Sequence, residues 1–208
     1  MASRLTGSDI SAVFITADTN AADNASVSAA EQANTDFTIG GTDTSGGVAT
    51  FTAARIITCT TAGTGDNGKT VTITGTDVNG SAQTEVITLT GSATTTSGTK
   101  FFRTVTAAAA SAQPAANVSI GHAASCADVI FAGRSRFRGI NVVCSGTAGI
   151  LDFVTTSPLG SSTFKLGTVA SATATRDITI PDEGVLFESG IFVSYTVSTF
   201  GTLTVFHA

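Results

Sequence analysis

Two histidines and one pair of adjacent carboxylates are the residues whose types could support acid–base or metal chemistry. His122 lies in a turn-like stretch between apolar segments, and His207 is the penultimate residue. Neither has a second His, Cys or carboxylate at the spacing of a metal site, so both are expected to be solvated or interface side chains. Asp182 and Glu183 are neighbours in a Pro-Asp-Glu-Gly turn, whereas a glycosidase needs carboxyl groups several ångströms apart across a cleft.

Motifs that would indicate a particular reaction are missing from the sequence. No G-x-S-x-G nucleophile turn, phosphate-binding loop or dinucleotide fingerprint occurs, and the glycines recur between strand-like runs rather than opening a helix. The sequence therefore predicts no catalytic residue, no metal ligand and no cofactor. We expect the protein not to be an enzyme.

Three arginines at alternate positions form the most distinctive charged pattern. Arg134, Arg136 and Arg138 would share one face of a strand, where three like charges are costly unless carboxylates meet them. One interpretation is a partner interface, with carboxylates supplied by the acidic N-terminal segment or by another protein, because guanidinium groups bind carboxylates bidentately. The other is a solvated sheet edge that its charges protect from pairing.

The three cysteines predict no disulfide framework, because their number is odd. Cys59 and Cys144 lie in apolar, strand-like runs and are expected to be small buried side chains. The sequence does not decide whether Cys126 and Cys144 form a disulfide. This cysteine usage fits assembly in a reducing cytoplasm.

The composition favours strands over helices. Hydrophobic residues make up 42% of the 208 residues, with 13 Phe, whereas charged residues make up only 12%. Abundant Thr and Gly suit pleated strands joined by tight turns and lose conformational freedom in helices. A surface with so few charges has little to keep copies apart, which points to a homo-oligomer.

The charge distribution excludes a typical nucleic-acid binder. The net charge of −5 is that of residues 1–48, where Arg4 stands against six carboxylates, and no basic patch is present. Residues 1–16 lack a basic region followed by an apolar run, so no secretion signal is expected. No stretch approaches the roughly 20 apolar residues of a membrane span.

The pattern of apolar runs and turn residues along the chain predicts an all-β fold of two small antiparallel β-sandwich or jelly-roll-like modules preceded by an extended N-terminal arm. Residues 1–48 would form the arm, with Val13, Phe14 and Ile15 as an apolar anchor that orders against a partner. The alternative is a first strand with long loops. Within this segment, residues 22–33 could make a helical turn or two.

The two modules are predicted over 49–121 and 122–208. The first holds about five strands, including a hairpin at Asn79-Gly80, which is a strong short-range turn signal between alternating runs. The second holds about eight short strands at regular spacing, with a turn at Pro181–Gly184.

Three segments of the two modules have a distinctive pattern. They are Lys69-Thr-Val-Thr-Ile-Thr-Gly-Thr-Asp-Val-Asn-Gly-Ser-Ala-Gln-Thr-Glu-Val-Ile-Thr-Leu, Lys100-Phe-Phe-Arg-Thr-Val-Thr and Ile180-Pro-Asp-Glu-Gly-Val-Leu-Phe-Glu-Ser-Gly-Ile-Phe-Val. These segments resemble virion structural proteins of tailed bacteriophages. The resemblance covers parts of 60–208 and leaves the N-terminal segment unmatched.

This resemblance implies a particle component located in the virion and assembled in the host cytoplasm. The first expectation is a capsid decoration or cement protein, such as a trimer, that binds the major capsid protein and copies of itself without contacting nucleic acid or a membrane. A neck, tail or baseplate component is the alternative. A receptor- or glycan-binding module is a second alternative, although the chain has no Trp and one Tyr to build an aromatic platform.

Overall fold

The fold is all-β in the part of the chain that the structure, a computed structural model, describes: residues 10–91 and 93–208. These residues form antiparallel strand pairs and no helix, as the Thr-rich, period-two runs predict. No segment of them makes a helix of the length and hydropathy that crossing a membrane requires. The strands are β1 Ser11–Thr16, β2 Asp23–Glu31, β3 Thr44–Ser45, β4 Val48–Thr61, β5 Thr70–Thr76, β6 Ala82–Thr88, β7 Thr95–Ala110, β8 Val118–Phe131, β9 Ser135–Cys144, β10 Ile150–Val154, β11 Ser162–Gly167, β12 Thr175–Thr179, β13 Val185–Phe187, β14 Ile191–Thr196 and β15 Phe200–His207.

The chain divides into two compact units. The continuous unit is Asp18–Asp128, and the split unit combines residues 10–17 with Val129–Ala208. The boundary at residue 128 falls inside β8, so one strand contributes residues to both units.

The continuous unit is organised around a sheet of order β8-β4-β7-β5-β6, with β2 alongside β8 and β3 alongside β4. The predicted hairpin is confirmed between β5 and β6. Asp77 accepts the amides of Asn79 at 2.8 Å and Ser81 at 2.9 Å through Oδ1, and Gly80 has φ 82°, which favours glycine.

The core of the continuous unit consists of side chains from alternate strand positions and from the segment before β3. Burying them supplies the main stabilising free energy of the unit. Its members are Val27, Ala33, Phe37, Ala49, Phe51, Ile57, Cys59, Val71, Ile73, Ile87, Leu89, Phe102, Val105, Ala108, Val118 and Ile120.

The split unit contains a five-stranded sheet of order β1-β15-β9-β12, in which β13 also pairs with β9, and a second group of order β11-β10-β14. Phe137 of β9 packs against Phe153 of β10 and Phe164 of β11, with ring centroids 5.0 and 5.2 Å apart. Phe187 lies 6.2 Å from Phe137. These rings join the two layers in the manner of a β-sandwich.

The observed boundaries differ from the predicted divisions after residues 48 and 121. β8 runs through residue 121 and stays paired with β4 on both sides, since Cys59 pairs with Ile120 and Ala54 pairs with Ala127. In the described part of 1–48, β1 pairs with β15, and Val27 and Phe37 are buried in the core. The structure therefore places these residues within the two units instead of in a separate arm.

The helical turn suggested for residues 22–33 is wrong, because most of that segment forms β2. It pairs with β8 with register shifts after Asp23 and Ser28. Close approach is possible because Gly121 of β8 has no side chain: a Cβ there would lie 1.8 Å from the carbonyl oxygen of Asp23. Pairing with a strand about ninety residues later outweighs the weak local preference.

Candidate functional site

The predicted apolar anchor lies on β1, at the end of the five-stranded sheet. Val13 pairs with Val205 and Ile15 pairs with Leu203, and both β1 side chains are half-buried on the core side. Phe14 points to the other side and is 64% exposed. The anchor is therefore one edge strand with two inward side chains and one aromatic ring in solvent.

The hydrogen-bonding direction of β1 follows from one bond just beyond its end. The amide of Ala17 donates to the carbonyl of Gly201 at 3.1 Å, which continues the register of the β1–β15 pair. Backbone groups alternate in direction along an antiparallel strand, so the odd-numbered residues of β1 bond to β15. The N–H and C=O groups of Ala12, Phe14 and Thr16 then point away from β15, along what we term the β1 edge.

No described strand pairs with the β1 edge. Residues 10–17 carry no charge and no proline, which are the features that commonly prevent an edge from pairing with another chain. Strands at the other ends of the sheet paths do carry charges: Arg176 and Asp177 on β12, Lys165 on β11 and Glu85 on β6. Among these end strands, β1 is the one without a charged residue.

An apolar patch continues from the β1 edge over the outer face, the side of the sheet that carries Phe14. Ile10 is 50% exposed and Phe206 is 37% exposed. They line a shallow groove of about 220 Å³ together with Gly139, where a Cβ would lie 3.8 Å from the Phe206 ring. Arg138 and other residues of β9 and β12 complete the groove.

The three arginines do not share one strand face. Arg134 precedes β9, whereas Arg136 and Arg138 lie on it. Arg134 Nε is 2.7 Å from Glu188, and Arg136 is 2.9 Å from Glu183, so both meet carboxylates beside β13. The acidic N-terminal segment is not their partner in these pairs.

Arg138 makes no ion pair with the residues that the structure describes, and its side chain lines the groove. The exposed pairs of Arg134 and Arg136 contribute little to stability because solvent screens them. The interface hypothesis for the arginine run stays a prediction.

Both histidines are buried, so the solvated alternative expected for them is wrong. His122 lies in β8 and is 1% exposed, with Nε2 3.1 Å from Asp43 Oδ2 and Nδ1 3.1 Å from the carbonyl oxygen of Ala123. His207 is also buried, against Ser135 Oγ at 3.1 Å and the Phe131 ring at 5.0 Å. Turn-like residues around position 122 gave no signal of the long strand.

His122 lies at the floor of an open pocket of about 480 Å³. Asp23 and Asp43 also line it, but Asp23 already accepts from the Ala25 amide and the Thr42 hydroxyl. In the described ranges, no group of three His, Cys, Asp or Glu side chains could hold a metal ion. The hydrogen bonds of these polar groups are internal, and they hold β2 and the segment before β3 against β8.

A buried ion pair was not anticipated from the sequence. Arg55 of β4 is fully buried, and its guanidinium lies 2.9 Å from Asp18 Oδ2. It also donates to the carbonyl oxygens of Asn20 at 2.8 Å and Ala123 at 3.2 Å. These bonds satisfy the charge and fix the chain around Asp18.

All three cysteines are buried free thiols. The expected burial of Cys59 and Cys144 is confirmed. Burial raises the pKa of Cys59 to about 12, with a further contribution from the Glu85 carboxylate. Burial also raises the pKa of Cys126 to about 12. Neither is a nucleophilic thiolate at neutral pH.

The fold and these contacts define an all-β protein in which the buried His122, His207 and Arg55 have internal partners, and in which no described strand covers the β1 edge. Comparisons with protein-family models, with curated proteins and with solved structures give no match to the chain.

Proposed function

We propose that this protein is a structural component of a tailed-bacteriophage particle, most directly a capsid decoration protein that bridges capsomers and stabilises the shell. The proposal is carried by the β1 edge, an uncharged strand edge flanked by the exposed side chains of Ile10 and Phe14. A strand edge binds through its backbone and suits assembly with other chains.

The positions of the phage-like segments support this proposal. The Lys69–Leu89 segment forms the β5–β6 hairpin, and the Lys100–Thr106 segment lies within the adjacent β7. The Ile180–Val193 segment contains β13 and the start of β14. The resembling residues are thus structural strands and turns, which fits a resemblance in architecture with no reaction attached to it.

The proposed mechanism is mechanical. A decoration protein that covers a boundary between capsomers adds buried area that must be lost before the shell opens under internal DNA pressure. Because the same contact is repeated over the lattice, modest individual contacts combine through multivalency.

The experiment that tests the proposal is the copy number of the protein in purified particles, measured by gel densitometry against the major capsid protein. A near-stoichiometric ratio supports a decoration protein. A ratio of a few per cent would instead support a component of the neck, tail or baseplate. Absence from particles would contradict both a shell location and a neck, tail or baseplate location.

A matched pair of variants then tests the role of the β1 edge on the particle. Phe14→Lys places a charge beside the edge, whereas Val86→Lys places the same charge at a similarly exposed strand position, 60% against 64%. We expect particles with Phe14→Lys to lose the protein and to become more heat-sensitive, and those with Val86→Lys to retain it. Equal retention of both variants would contradict the role of β1.

A further inference from the structure

We propose that the β1 edge pairs with the β1 edge of a second copy, in antiparallel register about a two-fold axis at Val13. This inference rests on the proposed function in taking β1 as the docking edge, and it names the partner as another copy of the same chain. Pairing of two equivalent edges is isologous and closes after two copies, so it gives a dimer instead of the trimer expected from the resemblance.

The direction of the backbone groups restricts the registers that are possible. Two copies related by a two-fold axis normal to the sheet keep their outer faces on the same side. Even-numbered residues of one copy must therefore lie opposite even-numbered residues of the other, and odd-numbered residues opposite odd-numbered ones. The free N–H and C=O groups belong to the even-numbered residues, and these residues must form the hydrogen-bonded pairs.

An axis at Val13 satisfies both conditions. It pairs Ala12 with Phe14 of the second copy, and Ile10, which precedes β1 and extends it by one residue on pairing, with Thr16 of the second copy. Together with the two symmetric pairs, this gives about eight backbone hydrogen bonds. An axis at Phe14 gives about six and places the two rings directly opposite each other. With the axis at Val13, each Phe14 ring instead lies opposite the small side chain of Ala12 of the other copy, which leaves room for the ring.

The composition of the edge favours a second copy as its occupant. Residues 10–17 contain no charge, so two edges approach without like-charge repulsion. The even-numbered side chains Ile10, Ala12 and Phe14 are exposed, and pairing moves apolar area of both copies out of water. A charged edge such as β12, with Arg176 and Asp177, lacks this self-complementarity.

The test uses the full-length purified protein in sedimentation velocity over a concentration series. Ala12→Pro removes an N–H that points to the open edge and leaves the bonds to β15 in place. Because each dimer loses two hydrogen bonds, we expect the dimer dissociation constant to rise by at least about 30-fold. Ala12→Val, which keeps the N–H and suits a strand, is the matched control and is expected to dimerise as the parent does.

If circular dichroism shows that Ala12→Pro is unfolded, the same sedimentation experiment is made with Phe14→Lys, and Val86→Lys is its control. Loss of the dimer in Phe14→Lys alone supports the pairing. A parent protein that stays monomeric at high concentration overturns the proposal, as does an unchanged dimer in both edge variants. A monomer that dimerises only after removal of residues 1–9 also overturns it, because the chain's own N-terminal segment then occupies the edge.

These outcomes are separate from those of the particle experiment. A monomeric protein that is abundant on particles would overturn the self-pairing and leave the decoration role standing. A protein that dimerises through β1 but is absent from particles would support the self-pairing and contradict the decoration role.

Discussion

Removing the carboxylate of Asp18 is expected to cost the continuous unit a large part of its stability. Asp18 is the charge partner of Arg55, a fully buried side chain, with Oδ2 2.9 Å from the guanidinium. At an effective dielectric constant of about 20, unit charges at this distance attract by about 6 kcal/mol. The net loss on breaking a buried pair is smaller, about 3–5 kcal/mol, because it includes solvation differences and relaxation.

Asp18→Asn is a suitable perturbation because it keeps the size of the side chain and removes the charge. The carbonyl oxygens of Asn20 and Ala123 continue to accept from Arg55, but a buried positive charge is then left without its counter-ion. We expect the free energy of unfolding to fall by about 3–5 kcal/mol. The midpoint of thermal unfolding should fall by at least about 10 °C.

Urea titration followed by far-ultraviolet circular dichroism measures the effect, and calorimetry resolves the transitions of the two units. Asp152→Asn is the control, because its pair with Lys165 at 3.3 Å is partly exposed and contributes at most about 1 kcal/mol. Replacing the pair by Asp18→Leu with Arg55→Met should recover much of the loss, because no unpaired charge remains. A loss below about 1 kcal/mol for Asp18→Asn would refute the assignment of Arg55 as a buried charge held by Asp18.

Two further predictions follow from buried ionisable side chains. Burial lowers the pKa of His207 from its ordinary value of 6.5, so the unfolded chain binds more protons and stability is lost as the pH falls through 6.5 towards the lower folded-state value. The urea midpoint should therefore change less between a pH above 6.5 and a pH below it in His207→Gln than in the parent. An equal change in the two proteins would contradict the role of His207. Because burial raises the pKa of Cys59 and Cys126 to about 12, a disulfide reagent at pH 8 should modify them only after denaturant is added. Rapid modification of either thiol in the folded protein would show that it is accessible.

The sequence predicted local structure well where short-range signals were strong. The Asn79-Gly80 hairpin and the Pro181–Gly184 turn form at the expected residues. In both cases the information lies within a few residues, because each turn places a glycine at positive φ.

Features that depend on distant residues were missed. Residues around His122 look like a turn, but they continue a strand because β4 pairs with them along their length. The burial of Arg55 depends on Asp18, which is 37 residues away, and nothing in its own strand-like run indicates a partner. The arginine run was correctly singled out as charged, but its partners Glu183 and Glu188 could be identified only from the pairing of β13 with β9.

The apolar anchor on β1 was predicted from its side chains alone. Whether the edge of that strand was open depended on which strand occupied its other side, and this requires the sheet order. Register then determined which amides face outward, because a shift of one residue would exchange them. Composition could indicate that copies associate, but it could not select an edge.

The pairing of β1 with β15 also imposes an order on folding during synthesis. β1 precedes the continuous unit in the sequence and β15 follows it, so the whole unit is translated between them. Domains generally fold as they emerge, with the N-terminal ones first. The continuous unit can therefore close early, whereas β1 remains without its native neighbour until β15 has left the ribosome.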